Sequence, residues 1–197
     1  MLQPRYLLHT GEGDRFGEAV HHIDVYAFDS LGIYRKMFRD KGAHLKNGYQ
    51  MPIDLPEGKW TFLCLGGKVG DYEIGIFKTG IPQQFSPAVS PGITTLSDFR
   101  VKAYFEQKEN LEYSFGELFF GRLDSVEITA DNGGTGVIDL MKNTNKIEVR
   151  VKGIADGSSA RITSDNGRFN SENVTPADAG TIIYVPYYSA SQACFPV

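Results

Sequence analysis

The residues best suited to chemistry in this 197-residue chain share one short stretch, LPEGKWTFLCLGG, residues 55 to 67. It holds the only tryptophan, Trp60, and one of the two cysteines, Cys64. An exposed indole would stack on a sugar ring, and a thiol beside a base would make a nucleophile. The third reading is plain core. Trp60, Phe62 and Cys64 fall on one side of an alternating strand, with Cys64 set between Leu63 and Leu65. A nucleophilic cysteine needs an exposed, electropositive setting, and these neighbours supply neither. Core is therefore the favoured reading for both residues.

The remaining candidates are weaker. Of the four histidines, His21 and His22 are adjacent, so in a strand their rings point to opposite faces and cannot hold one ion. His9 and His44 stand alone in polar segments. No H-E-x-x-H, C-x-x-C or G-x-S-x-G motif occurs. GGKVG at 66 to 70 lacks the Lys-Ser/Thr pair and the helix of a phosphate loop. DNGG and SDNG lack the spaced carboxylates and closing glutamate of a calcium loop. Tyr184, Tyr187 and Tyr188 crowd the last apolar segment and would form a sugar platform if exposed. No catalytic, cofactor-binding or metal-ligating residue is read, and no cofactor.

The elements that carry these residues are short and alternate with period two. Residues 1 to 20 are polar and weakly patterned. HHIDVYAFDSLGIYRKMF predicts a hairpin with Ile23, Val25 and Ala27 on one face and DSLG as its turn. KWTFLCL has apolar residues on both faces toward its end, which suits the middle of a sheet. DFRVKAYFE alternates, with Phe99, Val101, Ala103 and Phe105 pointing in. EQKENLEY allows a turn or two of helix. FFGRLDSVEIT and TGVIDLMK flank ADNGG as a second hairpin, and ARITSDNGRFN predicts a third about Asp165-Asn166-Gly167. GTIIYVPYYS is an apolar strand whose Pro186 demands an edge or a bulge. No helical period lasts three turns, so the expected fold is an all-β, antiparallel β-sandwich.

A polar interruption, KNTN at 142 to 145, divides the chain into a first sandwich over 1–142 and a second piece over 146–197. The second is thin for an independent core, and QACFPV reads as the start of a strand, so that domain is expected to be incomplete. A net charge of −4, without runs of one sign, gives no electrostatic reason to bind nucleic acid or an anionic membrane. The amino terminus shows no basic segment followed by a long apolar one, so no signal peptide is read.

Taken in order, these segments resemble the fimbrial anchor, or minor fimbrial subunit, family of Bacteroidales. The residues that carry the resemblance are Phe28, Asp29 and Gly32; Leu55, Gly58, Trp60 and Thr61; Leu118, Phe119 and Gly121; and Leu140, Lys142, Asn145, Lys146 and Ile147. The resemblance implies two transthyretin-like β-sandwiches and no catalytic residues. It also implies a lipid-linked outer-membrane protein at the base of a surface fimbrium. No lipid-acceptor cysteine lies near Met1, so relative to a typical member the chain is expected to be cut at both ends.

The function expected from this resemblance is structural rather than enzymatic. The chain would join neighbouring fimbrial subunits by β-strand pairing and support adhesion, because an open sheet edge offers backbone donors and acceptors to another strand. The alternative is a cell-surface carbohydrate-binding module using Trp60 or the Tyr187–Tyr188 pair. Asp29-Ser30-Leu31 and Asp124-Ser125-Val126 also match a short O-glycosylation pattern of this bacterial group, at places where turn or strand-start chemistry already explains them.

Overall fold

Alternation with apolar residues on both faces requires a sheet covered on both sides. A computed structural model of the chain describes residues 1–7, 13–78, 84–103, 116–131, 133–144, 146–148, 162–177, 182–184, 187–189 and 192–196. In chain order the longer elements are β1 (Leu2–Tyr6), a one-turn helix α1 (Phe16–Ala19), β2 (His22–Phe28), β3 (Tyr34–Lys41) and β4 (Gly58–Gly67). They continue with β5 (Tyr72–Lys78), β6 (Gln84–Ser86), β7 (Phe99–Ala103), β8 (Leu118–Ile128) and β9 (Gly136–Lys142). Six short strands follow: β10 (Lys146–Glu148), β11 (Ile162–Ser164), β12 (Arg168–Asn170), β13 (Ile182–Tyr184), β14 (Tyr187–Ser189) and β15 (Gln192–Pro196).

One sheet has the order β1-β9-β8-β4-β2-β3, which puts β4 inside it as its two apolar faces require. A second sheet has the order β12-β7-β5-β6. The two face each other as an all-β sandwich. Tyr26, Phe28, Leu63, Leu65, Leu118 and Phe120 of the first meet Phe99 and Val101 of the second, with Ile74 and Phe169 at the margin. Phe99 receives Tyr26 and Phe28 edge-on, with ring centres 5.1 and 5.8 Å away. On the far side of the six-stranded sheet, Ile23, Val25, Ala27, Trp60, Phe62 and Cys64 form another core. Phe16, Val20, Leu45 and Met51 close it from the segments that flank the β2–β3 hairpin.

Several expectations change. The weakly patterned amino terminus contributes β1 and α1, and Leu2, Phe16 and Val20 are fully buried. Three isolated apolar anchors suffice there because the sheet already presents the rest of the core. All strand neighbours within the two sandwich sheets are antiparallel except β1 and β9, which run parallel. The hairpins about DSLG and ADNGG form, as β2–β3 and β8–β9.

The third hairpin does not form. β11 pairs with β13, while β12 leaves to pair with β7, so the Asp165-Asn166-Gly167 turn separates two sheets. Phe169 packs edge-on against Phe120 at 5.6 Å, and that long-range contact outweighs the local turn preference. The segment around Pro186 likewise divides into β13 and β14, which belong to different sheets. β10, β14 and β15 make a small sheet of their own, with β15 in the middle. The expected helix in EQKENLEY and the inward Phe105 lie outside the described residues.

Candidate assembly surface

The residues that carried the resemblance divide between turn, core and strand contact. Asp29 builds the β2–β3 turn. One carboxylate oxygen accepts the Leu31 and Ile33 N–H groups at 2.9 and 3.0 Å, and the other accepts Arg35 Nε at 2.6 Å. Burial alone would raise the Asp29 pKa, but the Ile33 N–H, Arg35 and the Leu31 N–H outweigh it and hold the acid below its usual range. Gly32 closes that turn at φ +71°, a conformation that costs any residue with a Cβ. Phe28 is fully buried between the sheets, and Leu118 joins it there. Leu55 leans on the opposite core beside Trp60, and Phe119 is buried in that core with Leu140.

Gly58 opens β4, and Thr61 on that strand donates its hydroxyl to Asp124 Oδ1 at 3.0 Å. Opposite Thr61 the β4–β8 register skips, leaving Asp124 and Ser125 as a bulge in which Ser125 sits at φ +58°. Gly121 allows a close crossing, since a Cβ there would lie 2.7 Å from the Asp139 carbonyl. Lys142 pairs with Glu117. Asn145 lies outside the described residues, as do the side chains of Lys146 and Ile147. Ser30 and Ser125, the serines of the two glycosylation-like patterns, are both exposed.

The chemical candidates resolve differently. Trp60 is 5% exposed and donates its indole N–H to the Pro56 carbonyl at 3.1 Å, so no ring face is offered to a sugar. Cys64 is fully buried, and burial, reinforced by the Asp24 charge, pushes its thiol pKa far up. His22 and His44 each contact a single carboxylate, Asp24 and Asp40, at 2.9 Å. Among the described residues no group of three His, Cys, Asp or Glu side chains could hold a metal ion. His9 and the side chains of Tyr184, Tyr187 and Tyr188 lie outside the described residues.

One residue escaped the sequence. Asp24 is wholly buried in β2, where Arg39 of β3 grips it with Nε and Nη2, each at 2.6 Å. A buried carboxylate is costly unless paired, so this bridge fixes the last strand of the sheet to its neighbour. The signal was present: Asp24 shares a strand face with Tyr26 and Phe28, and an acid on an apolar face requires a partner.

The sheet ends differ in how well they are closed. β1 exchanges backbone bonds with Met51 at 2.9 and 2.7 Å. β6 and β12 are three residues long, and the Asn170 N–H of β12 is turned back to Val174. β3 is eight residues long, and among the described residues only its first, Tyr34, is closed on the outside, by Gly92 and Thr94. From Arg35 to Lys41, β2 is its only strand partner among the described residues. Beside this open rim lies a cleft of about 570 Å³ lined by Asp29, Arg35, Lys36, Asp54, Leu55, Pro56, Glu57 and Trp60.

The family model of the fimbrillin-A associated anchor proteins Mfa1 and Mfa2 matches residues 1–193. The chain belongs to this family. It is thus a fimbrial cell-surface protein, and its family is one of anchors rather than of enzymes. The fold of this chain is shared by solved structures. The fimbrial anchor protein Mfa2 from Porphyromonas gingivalis superposes with a TM-score of 0.72 at 19% identity, covering 100% of this chain and 71% of that one. A Bacteroides thetaiotaomicron protein described as a proposed polysaccharide binder gives 0.76 at 19%, over 100% and 69% of the two chains. A proposed adhesin from Bacteroides ovatus gives 0.72 at 23%, over 99% and 66%. At such identities the likeness establishes the fold. A search of curated proteins found no significant match.

Proposed function

We propose that this anchor-family chain joins a neighbouring fimbrial subunit by pairing backbone along an open sheet edge, and so supports adhesion at the cell surface. Family membership over residues 1–193 carries this reading, and the rim of β3, which has no second strand neighbour among the described residues, supports it. Strand addition couples many backbone bonds to pockets for alternate side chains, which suits subunits that stay joined under load. The same reading includes a lipid-held position in the outer membrane, transthyretin-like topology and a division at residues 142–146. It gives the motif residues, from Phe28 and Asp29 to Gly121, a structural role. Deleting the gene in its source bacterium should release fimbriae into the medium, and restoring it should return them to the cell. Fimbriae that stay attached without it would overturn the proposal.

A second reading, sugar binding, draws on the likeness to a proposed polysaccharide binder. With Trp60 in the core, the cleft beside Lys36 would have to serve it. Saturable binding on a glycan array, lost with Lys36→Ala and Glu57→Ala, would favour it.

A further inference from the structure

We infer that the rim of β3 from Arg35 to Lys41 is the acceptor edge, and that its partner is an extended segment of another subunit with opposite charges on its two faces. This rests on the strand-pairing reading above. Side chains of β3 alternate between the faces of the sheet. Met37, Arg39 and Lys41 lie beside Tyr26, Asp24 and His22 of β2, on the side that meets the second sheet. Lys36, Phe38 and Asp40 lie beside Ala27, Val25 and Ile23, on the other side. The first set is basic. The second is acidic in its surroundings, because at the cleft Asp29 is paired with Arg35 and Asp54 with Lys36, which leaves Glu57 as the excess charge.

Both cores also run out to this rim half-finished. Met37 packs partly buried against one and Phe38 partly buried against the other. An added strand would cover both, gaining apolar burial on each face as well as backbone bonds. Its carboxylates would lie over Lys41, its cations over Asp54 and Glu57, and its apolar side chains over Met37 and Phe38, while Arg39 stays with Asp24. Leu31 and Ile93, 78% and 73% exposed on the two loops that close the rim at Tyr34, offer a further apolar contact where that strand ends. A second copy of β3 is no better matched, since antiparallel pairing centred on Phe38 sets Arg35 against Lys41 twice and Lys36 against Asp40 twice, repulsion and attraction in equal number. Charge on the two faces of this rim favours a strand of complementary pattern over one that merely repeats it.

The test uses the full chain with subunits dissociated from the fimbriae of the source bacterium. Amide hydrogen exchange is read across all sheet edges, and affinity is measured for Lys41→Glu and Glu57→Lys, both at exposed positions. On binding, amides within Arg35–Lys41 should exchange at least about tenfold more slowly, as strand pairing protects them. Each charge reversal should weaken binding about threefold, the scale of a rim ion pair. Protection of Gln84–Ser86 or Arg168–Asn170 instead would overturn the choice of edge and leave strand pairing standing. A complex that protects no strand edge, or no complex at all, would overturn both. Binding that is indifferent to both reversals would overturn the charge assignment of the partner.

Discussion

Replacing Arg39 with methionine should cost far more than the loss of a surface charge. Arg39 is 52% exposed, but its partner Asp24 is 1% exposed and, among the described residues, keeps only His22 once the guanidinium is gone. Breaking a fully buried pair by removing one member typically costs about 3–5 kcal/mol, because the remaining charge is stranded. Solvent reaches the guanidinium side of this one, so about 2–3 kcal/mol is expected. With a urea slope near 2–3 kcal/mol/M for a chain of this size, the midpoint should fall by about 1 M. The double variant Asp24→Leu/Arg39→Met removes both charges and should recover most of that loss, as apolar replacement of whole buried pairs does elsewhere. Urea titrations followed by Trp60 fluorescence and by circular dichroism give all three midpoints. If Arg39→Met moves the midpoint by less than about 0.3 M, Arg39 is not what keeps Asp24 buried, and the account of β3 as a strand pinned by charge is wrong.

Three further outcomes follow from the same packing. Gly121→Ala should destabilise by about 2–3 kcal/mol, since the new methyl would meet the Asp139 carbonyl at 2.7 Å; thermal melts read this, and an unchanged melt would mean the strands separate freely there. In a Cys194→Ser background, Cys64 should resist thiol reagents at pH 8 until the protein unfolds, because burial and the Asp24 charge disfavour its thiolate; rapid labelling of the native form would contradict the buried position. Asp40, held low by Tyr49, His44 and the Lys41 N–H, and Asp29, held low by its turn, both have folded pKa values below their unfolded ones. Their stabilisation is therefore complete above about pH 4 and lost as pH falls through the folded values, so Asp29→Asn/Asp40→Asn should flatten the acid limb of a stability–pH curve.

Much of the sandwich could be read from alternation alone. KWTFLCL announced its interior position because Leu63 and Leu65 are apolar on the face that Trp60, Phe62 and Cys64 leave free. DSLG and ADNGG announced hairpins because their residues accept the turn backbone, and β2–β3 and β8–β9 are those hairpins. The amino terminus was not legible in this way: Leu2, Phe16 and Val20 are buried by what they meet from elsewhere, and no local period marks them. SDNG misled for the complementary reason, since turn chemistry says only that the chain can reverse, and Phe169 found a better neighbour in Phe120. The open rim was invisible in the sequence because a strand becomes an edge only through the absence of a partner. The charged face of β3 was readable, but its meaning required knowing which side faced Asp24 and which faced Asp54.

The excursion of Arg168–Asn170 into the sheet of β7 has a mechanical consequence. A tether between two bodies in series yields at its weakest link and lets each unravel alone. Here the later part of the chain is sewn back into the earlier one, so a pull on the carboxyl-terminal half is delivered straight into the four-stranded layer. Without the strand Arg168–Asn170, β7 would have a bare flank and Phe120 would lose the ring that covers it.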